Sequence, residues 1–248
     1  MTLKQLEAFY WAATCKNFSV AASRLNISVS SLSKRIGELE SAIGAGELTS
    51  LTWMPRLISL IQRAHPDLSV EPHASLGQLL ETRLEDGELD FAIIAGPSTR
   101  TAIASHSIGH VQFVWVAAPG LLSGGRPLRA QDVAGQTLVT LPNSAGTVRI
   151  LDEWLVEHQV AAGRRMTCEN LGAVAGMLKE GLGMGFLPRA WAAELVRRGH
   201  LQVLGRLPPL RPLAYTYQWR RDDTRPMVQQ LRKLAAQAAD FDVVPCLM

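Results

Sequence analysis

From residue 47 onward, short apolar runs alternate with amphipathic stretches, and this alternation confines the chain to a layered α/β fold. Leu89-Asp-Phe-Ala-Ile-Ile-Ala95 carries a single polar residue, the pattern of a strand buried on both faces of a parallel sheet. The pattern predicts further strands at 68–72, 111–117, 138–141, 166–168, 201–204 and 213–220. Helices are predicted at 48–64, interrupted early by Pro55, and at 78–85, 148–158, 171–180, 190–197 and 226–239, where Pro226 suits a first turn. Gly181-Leu-Gly-Met-Gly185 resembles a nucleotide loop, but it follows a helix and leads into Phe186-Leu187. A phosphate loop must follow a strand and open a helix, so this segment reads as a helix stop with close strand packing.

Residues 1–45 are different. Thr2 can cap a first helix whose Leu6, Phe9, Tyr10 and Ala13 form one apolar stripe. Asn17 and Phe18 end it. Ser19 caps a second helix with Ala22 and Leu25 facing inward, Asn26-Ile27 turn the chain, and Ser28 caps a third whose buried stripe is Leu32, Ile36 and Leu39. Ser30, Ser31, Ser33, Lys34 and Arg35 lie with Val29 on that helix's opposite face. Serines at a helix N-terminus can meet phosphates or base edges, and Lys34 and Arg35 can neutralise phosphates. A plain three-helix bundle with a solvated polar face has the same periodicity.

Phe18-Ser-Val-Ala-Ala-Ser-Arg-Leu25, then Leu32-Ser-Lys-Arg-Ile36, Leu39-Glu40 and Gly44, resemble the helix-turn-helix domain of LysR-type transcriptional regulators, as does the opening Met1–Phe9. The resemblance implies promoter DNA as a partner, through Ser19, Ser28, Ser30, Ser31, Ser33, Lys34 and Arg35. Val29-Ser30 stands where that family has Gln-Pro, which puts its base preference in doubt. In the family a β-hairpin wing, a long linker helix that pairs subunits and the first strand of the effector domain follow the position of Gly44. Here Gly44-Ala45 runs at once into Gly46-Glu-Leu-Thr-Ser-Leu-Thr-Trp-Met-Pro55, which resembles the end of that strand and the helix after it. The expectation is a truncated N-terminal all-α (winged) helix-turn-helix over 1–45, lacking wing, linker and most of the first effector strand.

Pro66 to Ile94 and Gly181 to Pro188 resemble the family's effector-binding domain, a two-lobed α/β fold like a periplasmic binding protein. The domain is expected over 47–248: lobe one about 47–110 and 208–248, lobe two about 111–207, with crossovers near 109–115 and 203–210. Open parallel sheets bind ligands at the C-terminal ends of their strands. Ser75 and Gly77, Gly96 and Pro97, Asn143, Ser144 and Thr147, and Asn170 occupy such ends, and Thr49 and Ser50 start a helix where an anion is favoured. Each singly suits an ordinary cap or turn as well. The resemblance implies a small-molecule effector, commonly an organic acid. It also allows a homo-oligomer through effector domains paired side by side. A ligand-binding protein with a vestigial DNA module is the alternative.

Composition narrows the rest. Net charge is +3, and residues 1–46 hold five basic and three acidic groups, so the N-terminal module is the more basic per residue. No apolar run approaches the roughly 20 residues that span a bilayer, and no secretory signal opens the chain, so no membrane role and a cytoplasmic location are expected. Cys15, Cys168 and Cys246 match no metal spacing or disulfide framework. His106 and His110 form a short pair, but Gly109 argues against a helix there. No Gly-x-Ser-x-Gly elbow appears, and Asp222-Asp223 beside Arg220-Arg221 reads as a solvated turn. No catalytic residues, no metal site, no cofactor and no enzymatic activity are expected.

Overall fold

The computed structural model describes residues 3–37, 40–122, 128–161 and 163–245, with the backbone alone for 3, 5, 6, 34–37 and 40. Helices α1 (Leu3–Thr14), α2 (Phe18–Arg24) and α3 (Val29–Gly37) come first. Their core is small: Ala8, Ala21, Ala22 and Leu32 are buried, with Trp11, Cys15, Leu25 and Ile27 packed around them. This corrects the stripe expected on the first helix. Phe9 and Tyr10 are 51% and 58% exposed, and α1 turns Ala8 inward, where small side chains let the helices cross closely. Asn17, not Ser19, caps α2: its Oδ1 accepts from Val20 N at 3.0 Å, while Ser19 already lies inside the helix. Asn26 turns the chain with φ +50°, a conformation that asparagine tolerates. Ser28 Oγ accepts from Ser31 N at 3.1 Å and so caps α3. The roles expected for Thr2, Leu6, Ile36 and Leu39 fall outside the described residues or side chains.

Two residues separate α3 from β1 (Glu40–Ala45). The next elements are α4 (Glu47–Leu51), α5 (Met54–Ala64), β2 (Ser69–Ala74), α6 (Gly77–Glu85), β3 (Phe91–Ala95) and β4 (Ile103–Val111). Lobe one is a five-stranded sheet in the order β2-β1-β3-β10-β4, where β10 is Leu213–Arg220. β1 pairs in parallel with β2 from Glu40↔Ser69 to Ala45↔Ala74 and with β3 from Ile43↔Phe91 to Ala45↔Ile93. The expected gap in this sheet is therefore corrected: residues 40–45 fill an interior strand position. The physical reason is local. Ile43 and Ala45 are fully buried, and a Cβ on Gly44 would lie 2.8 Å from Leu89 Cδ1 and 2.9 Å from Leu80 Cδ2, so glycine lets α6 settle on the sheet.

The helix expected at 48–64 is two, α4 and α5, because Pro55 opens a new first turn. β4, unforeseen, is an edge strand held by its antiparallel ladder with β10.

Lobe two has the same design, in the order β7-β6-β8-β5-β9. Its strands are β5 (Phe113–Ala117), β6 (Leu138–Thr140), β7 (Arg165–Thr167), β8 (Met184–Pro188) and β9 (Gln202–Val203). Its helices are α7 (Val148–Glu157), α8 (Leu171–Lys179) and α9 (Arg189–Arg197), and α10 (Pro226–Ala238) returns to lobe one. The chain crosses between sheets at Gln112, and again between Val203 and Leu213. Gln112 Nε2 donates to Phe113 O at 3.0 Å and to Leu210 O at 2.9 Å, so one amide ties the two crossings together. Ile43→Ala removes a fully buried side chain from the strand on which lobe one is built, and urea denaturation should read a loss of about 2–5 kcal/mol.

Candidate functional site

In both sheets the parallel strands end at the same place. β1, β2 and β3 of lobe one and β6 and β7 of lobe two deliver their following loops to one cleft, as the geometry of open α/β sheets requires. The cleft holds a cavity of about 680 Å³. Of the residues singled out in the sequence, Ser75, Gly77, Ser144, Thr147 and Asn170 line it. Pro97 and Asn143 line an adjoining recess of about 290 Å³.

Thr49, Ser50 and Gly96 border neither space. Thr49 is fully buried, Ser50 Oγ donates back to Gly46 O at 3.1 Å, and the Gly96 carbonyl accepts from Thr216 Oγ1 at 2.8 Å and Gln218 Nε2 at 3.1 Å. Gly96 also has φ +85°, so its glycine serves the turn.

The cavity also meets residues that the sequence reading missed: Glu47, Gln78, Thr82, Glu169 and Tyr215. Arg100, the arginine on its wall, is already engaged. Its guanidinium pairs with Glu85, approaches Glu81 at 3.4 Å, and donates to Thr82 Oγ1 at 3.0 Å and Gln78 O at 3.3 Å. Glu47 reaches across from lobe one to the first amides of α8: its carboxylate accepts from Leu171 N and, at 3.2 Å, from Gly172 N. Asn170 Oδ1 accepts from Ala173 N at 2.8 Å. Burial, and then the charge of Glu47, hold the Tyr215 hydroxyl far above its ordinary pKa, so it presents a neutral phenol to the cleft. Thr147 is 6% exposed and its hydroxyl has no partner among the described residues.

The lobes touch directly. Gln78 N on lobe one donates to Ser144 O on lobe two at 3.3 Å. A Cβ on Gly146 would lie 2.0 Å from Ala95 O, so only a glycine allows this approach.

A second candidate surface lies on α3. The Ser28 hydroxyl bonds those of Ser30 and Ser31, each at 2.8 Å, in an exposed cluster at the helix start beside Val29, which is 44% exposed. Lys34 and Arg35 lie in the later turns of α3, where the backbone alone is described. Ser33 is exposed and borders a groove against lobe one, away from the other serines. Ser19 stands apart, on α2 beside Asn17, Val20, Ser23 and Arg24. Among the described residues no group of His, Cys, Asp and Glu could hold a metal, and no helix is long and apolar enough to cross a membrane.

Comparison with known proteins places this arrangement. Residues 3–46 match the bacterial regulatory helix-turn-helix protein, lysR family, and residues 39–240 match the LysR substrate binding domain. A protein named "Probable RuBisCO transcriptional regulator" from Gracilaria tenuistipitata var. liui is 21% identical over 166 residues, 64% of this chain and 54% of its own length. The chain thus spans about half the length of the curated relatives it matches. Among solved structures, the effector binding domain of QuiR in complex with shikimate superposes with a TM-score of 0.70 at 14% identity, over 80% of this chain and 95% of that one. The Synechocystis CcmR regulatory domain in complex with 2-PG gives 0.68 at 15% identity, over 81% and 98%. At these identities the likeness is one of fold.

Gly146→Ala should push lobe two away from Ala95 and break the bond between Gln78 N and Ser144 O. Hydrogen exchange at the Gln78 amide should then accelerate by at least about tenfold, the factor that follows from a loss of ~1.4 kcal/mol.

Proposed function

Because this chain belongs to the LysR family, we propose that it is a DNA-binding transcriptional regulator: α2 and α3 dock on promoter DNA, and the cleft between its lobes takes a small-molecule effector. The observation that carries this reading is the union of a three-helix unit with a cleft at which two similar α/β lobes bring their strand ends together. The protein on this reading is a cytoplasmic sensor and not an enzyme, and its copies pair through their effector domains.

The cleft's polar wall of Ser75, Gln78, Thr82, Ser144, Thr147 and Asn170 suits a small polar ligand. Relatives in fold are held in complex with shikimate and 2-PG, which supports an organic acid. The charges lining the cavity count against it, because Arg100 is already paired and Glu47 and Glu169 add negative charge.

On DNA, the serines at the start of α3 and the two basic residues after them are the proposed contacts. The exposed cluster of Ser28, Ser30 and Ser31 supports this placement. Only two residues separate α3 from β1, which supports our reading that an internal shortening has removed the family's wing and linker helix. That observation favours the second reading, a ligand sensor whose DNA module has lost its partner copy, since helix-turn-helix proteins gain affinity from two half-sites at fixed spacing.

Mobility shift with promoter DNA at low salt separates the two readings. A regulator gives a retarded band whose affinity falls steeply with salt. Lys34→Ala and Arg35→Ala should each lower the slope of log affinity against log salt by about 1. No shift even at the lowest salt sinks the DNA-binding reading and leaves the sensor.

A further inference from the structure

Glu47 sits where an acid ligand would be sought, and it belongs to the chain itself. It opens α4 directly after β1 on lobe one, and its carboxylate crosses the cleft to Leu171 N and Gly172 N at the start of α8 on lobe two. With Asn170 taking Ala173 N, the first three amides of this nine-residue helix are bound by two side chains, one from each lobe. A carboxylate there satisfies orphan donors and meets the positive end of the helix dipole. Glycine at 172 spares the Asn170 cap a tight contact, since a Cβ there would lie 3.1 Å from Asn170 Oδ1.

The rest of the cavity is consistent with a seat already filled. Arg100 is bound to Glu85 and Glu81 and offers no unpaired charge to an incoming acid. The buried Thr147 hydroxyl on the same wall has no partner among the described residues, and Tyr215 adds a neutral phenol. A polar ligand therefore finds uncharged partners here, while the anion position is held from within.

We propose that Glu47 is a tethered stand-in for a carboxylate ligand, which latches the two lobes together in the absence of effector and which a free carboxylate must displace from α8. The part concerning displacement rests on the cleft being the effector site. The latch itself does not. It follows that the cleft takes an uncharged polar ligand in preference to an acid.

The test uses the full chain with acetate as the probe and hydrogen exchange at the Leu171 and Gly172 amides as the readout. In Glu47→Ala both amides should exchange about tenfold faster or more, given the strength of a partly buried charge at a helix end. Acetate should restore their protection in that variant, acetamide should not, and acetate should leave the wild-type protein unchanged. Glu47→Gln keeps the side chain's size and loses its charge. It should show a smaller acceleration in the same direction, and it carries the test if the alanine variant does not fold. Equal exchange in wild type and variants overturns the latch, as does protection by acetamide equal to that by acetate. A protein that passes these tests yet binds no small molecule keeps the latch and loses the sensor. One that binds an effector while acetate protects neither amide in the alanine variant keeps the sensor and loses the latch.

Discussion

The whole molecule hangs on the pairing of β1. Its six residues supply the partner strand for both β2 and β3, so without them β2 is cut off from the rest of the lobe-one sheet. The strand is short, about 20 Å at the usual rise per residue, and each end is committed. At one end two residues lead back to α3. At the other, Gly46 enters the cleft and Glu47 follows immediately. A buried interior strand does not bend or slip register cheaply, because a one-residue slip would turn Ile43 out of the core. β1 thus stands as a stiff element in the chain between the helical unit and Glu47.

The two lobes are joined by the opposite kind of contact. Across the cleft the meeting groups are backbone and small: Gly146 against Ala95 O, Gln78 N to Ser144 O, and the Glu47 carboxylate on bare amides of α8. Such contacts are polar and few, and each is broken without opening an apolar core. The crossings behind them are tied by Gln112 Nε2, which bonds a carbonyl on each strand. A hinge made of two tied crossings, facing a clasp made of a few hydrogen bonds, lets the lobes separate at the cleft while keeping their register at the back.

What the sequence made legible follows from where the information is local. Periodicity found the helices, and the apolar run ending at Ala95 found β3, because a strand buried on both faces leaves a continuous signal. β4 stayed hidden because its residues alternate irregularly between buried and exposed, and its identity comes from a ladder with β10, a hundred positions away. β1 was misread for a different reason. Residues 39–46 fit both the end of a helix-turn-helix domain and the start of an α/β domain, and both family descriptions claim them. The choice is made by Ile43 and Ala45 packing inside lobe one, which no local pattern displays. In the cleft, loops at strand ends were legible from topology alone. Glu47 was not, because an acidic residue in a first turn reads as an ordinary helix start until α8, more than a hundred residues later, is brought against it.

The direct junction also limits how DNA could approach α3. The groove that Ser33 borders is walled on the lobe-one side by Glu71, Glu88, Asp90 and Asp223, against Arg220 and Arg225. Arg225 is already bound to Asp90 and Asp223, and Arg220 to Asp222 at 3.1 Å, so little positive charge remains to offset the acids. These walls carry more acidic than basic groups, so a phosphate backbone pressed against them would be repelled. The first turn carries the exposed serine cluster and is capped by Ser28. With affinity set largely by the number of phosphates neutralised, DNA docking through α3 on the proposed reading would gain from a second copy held at fixed spacing.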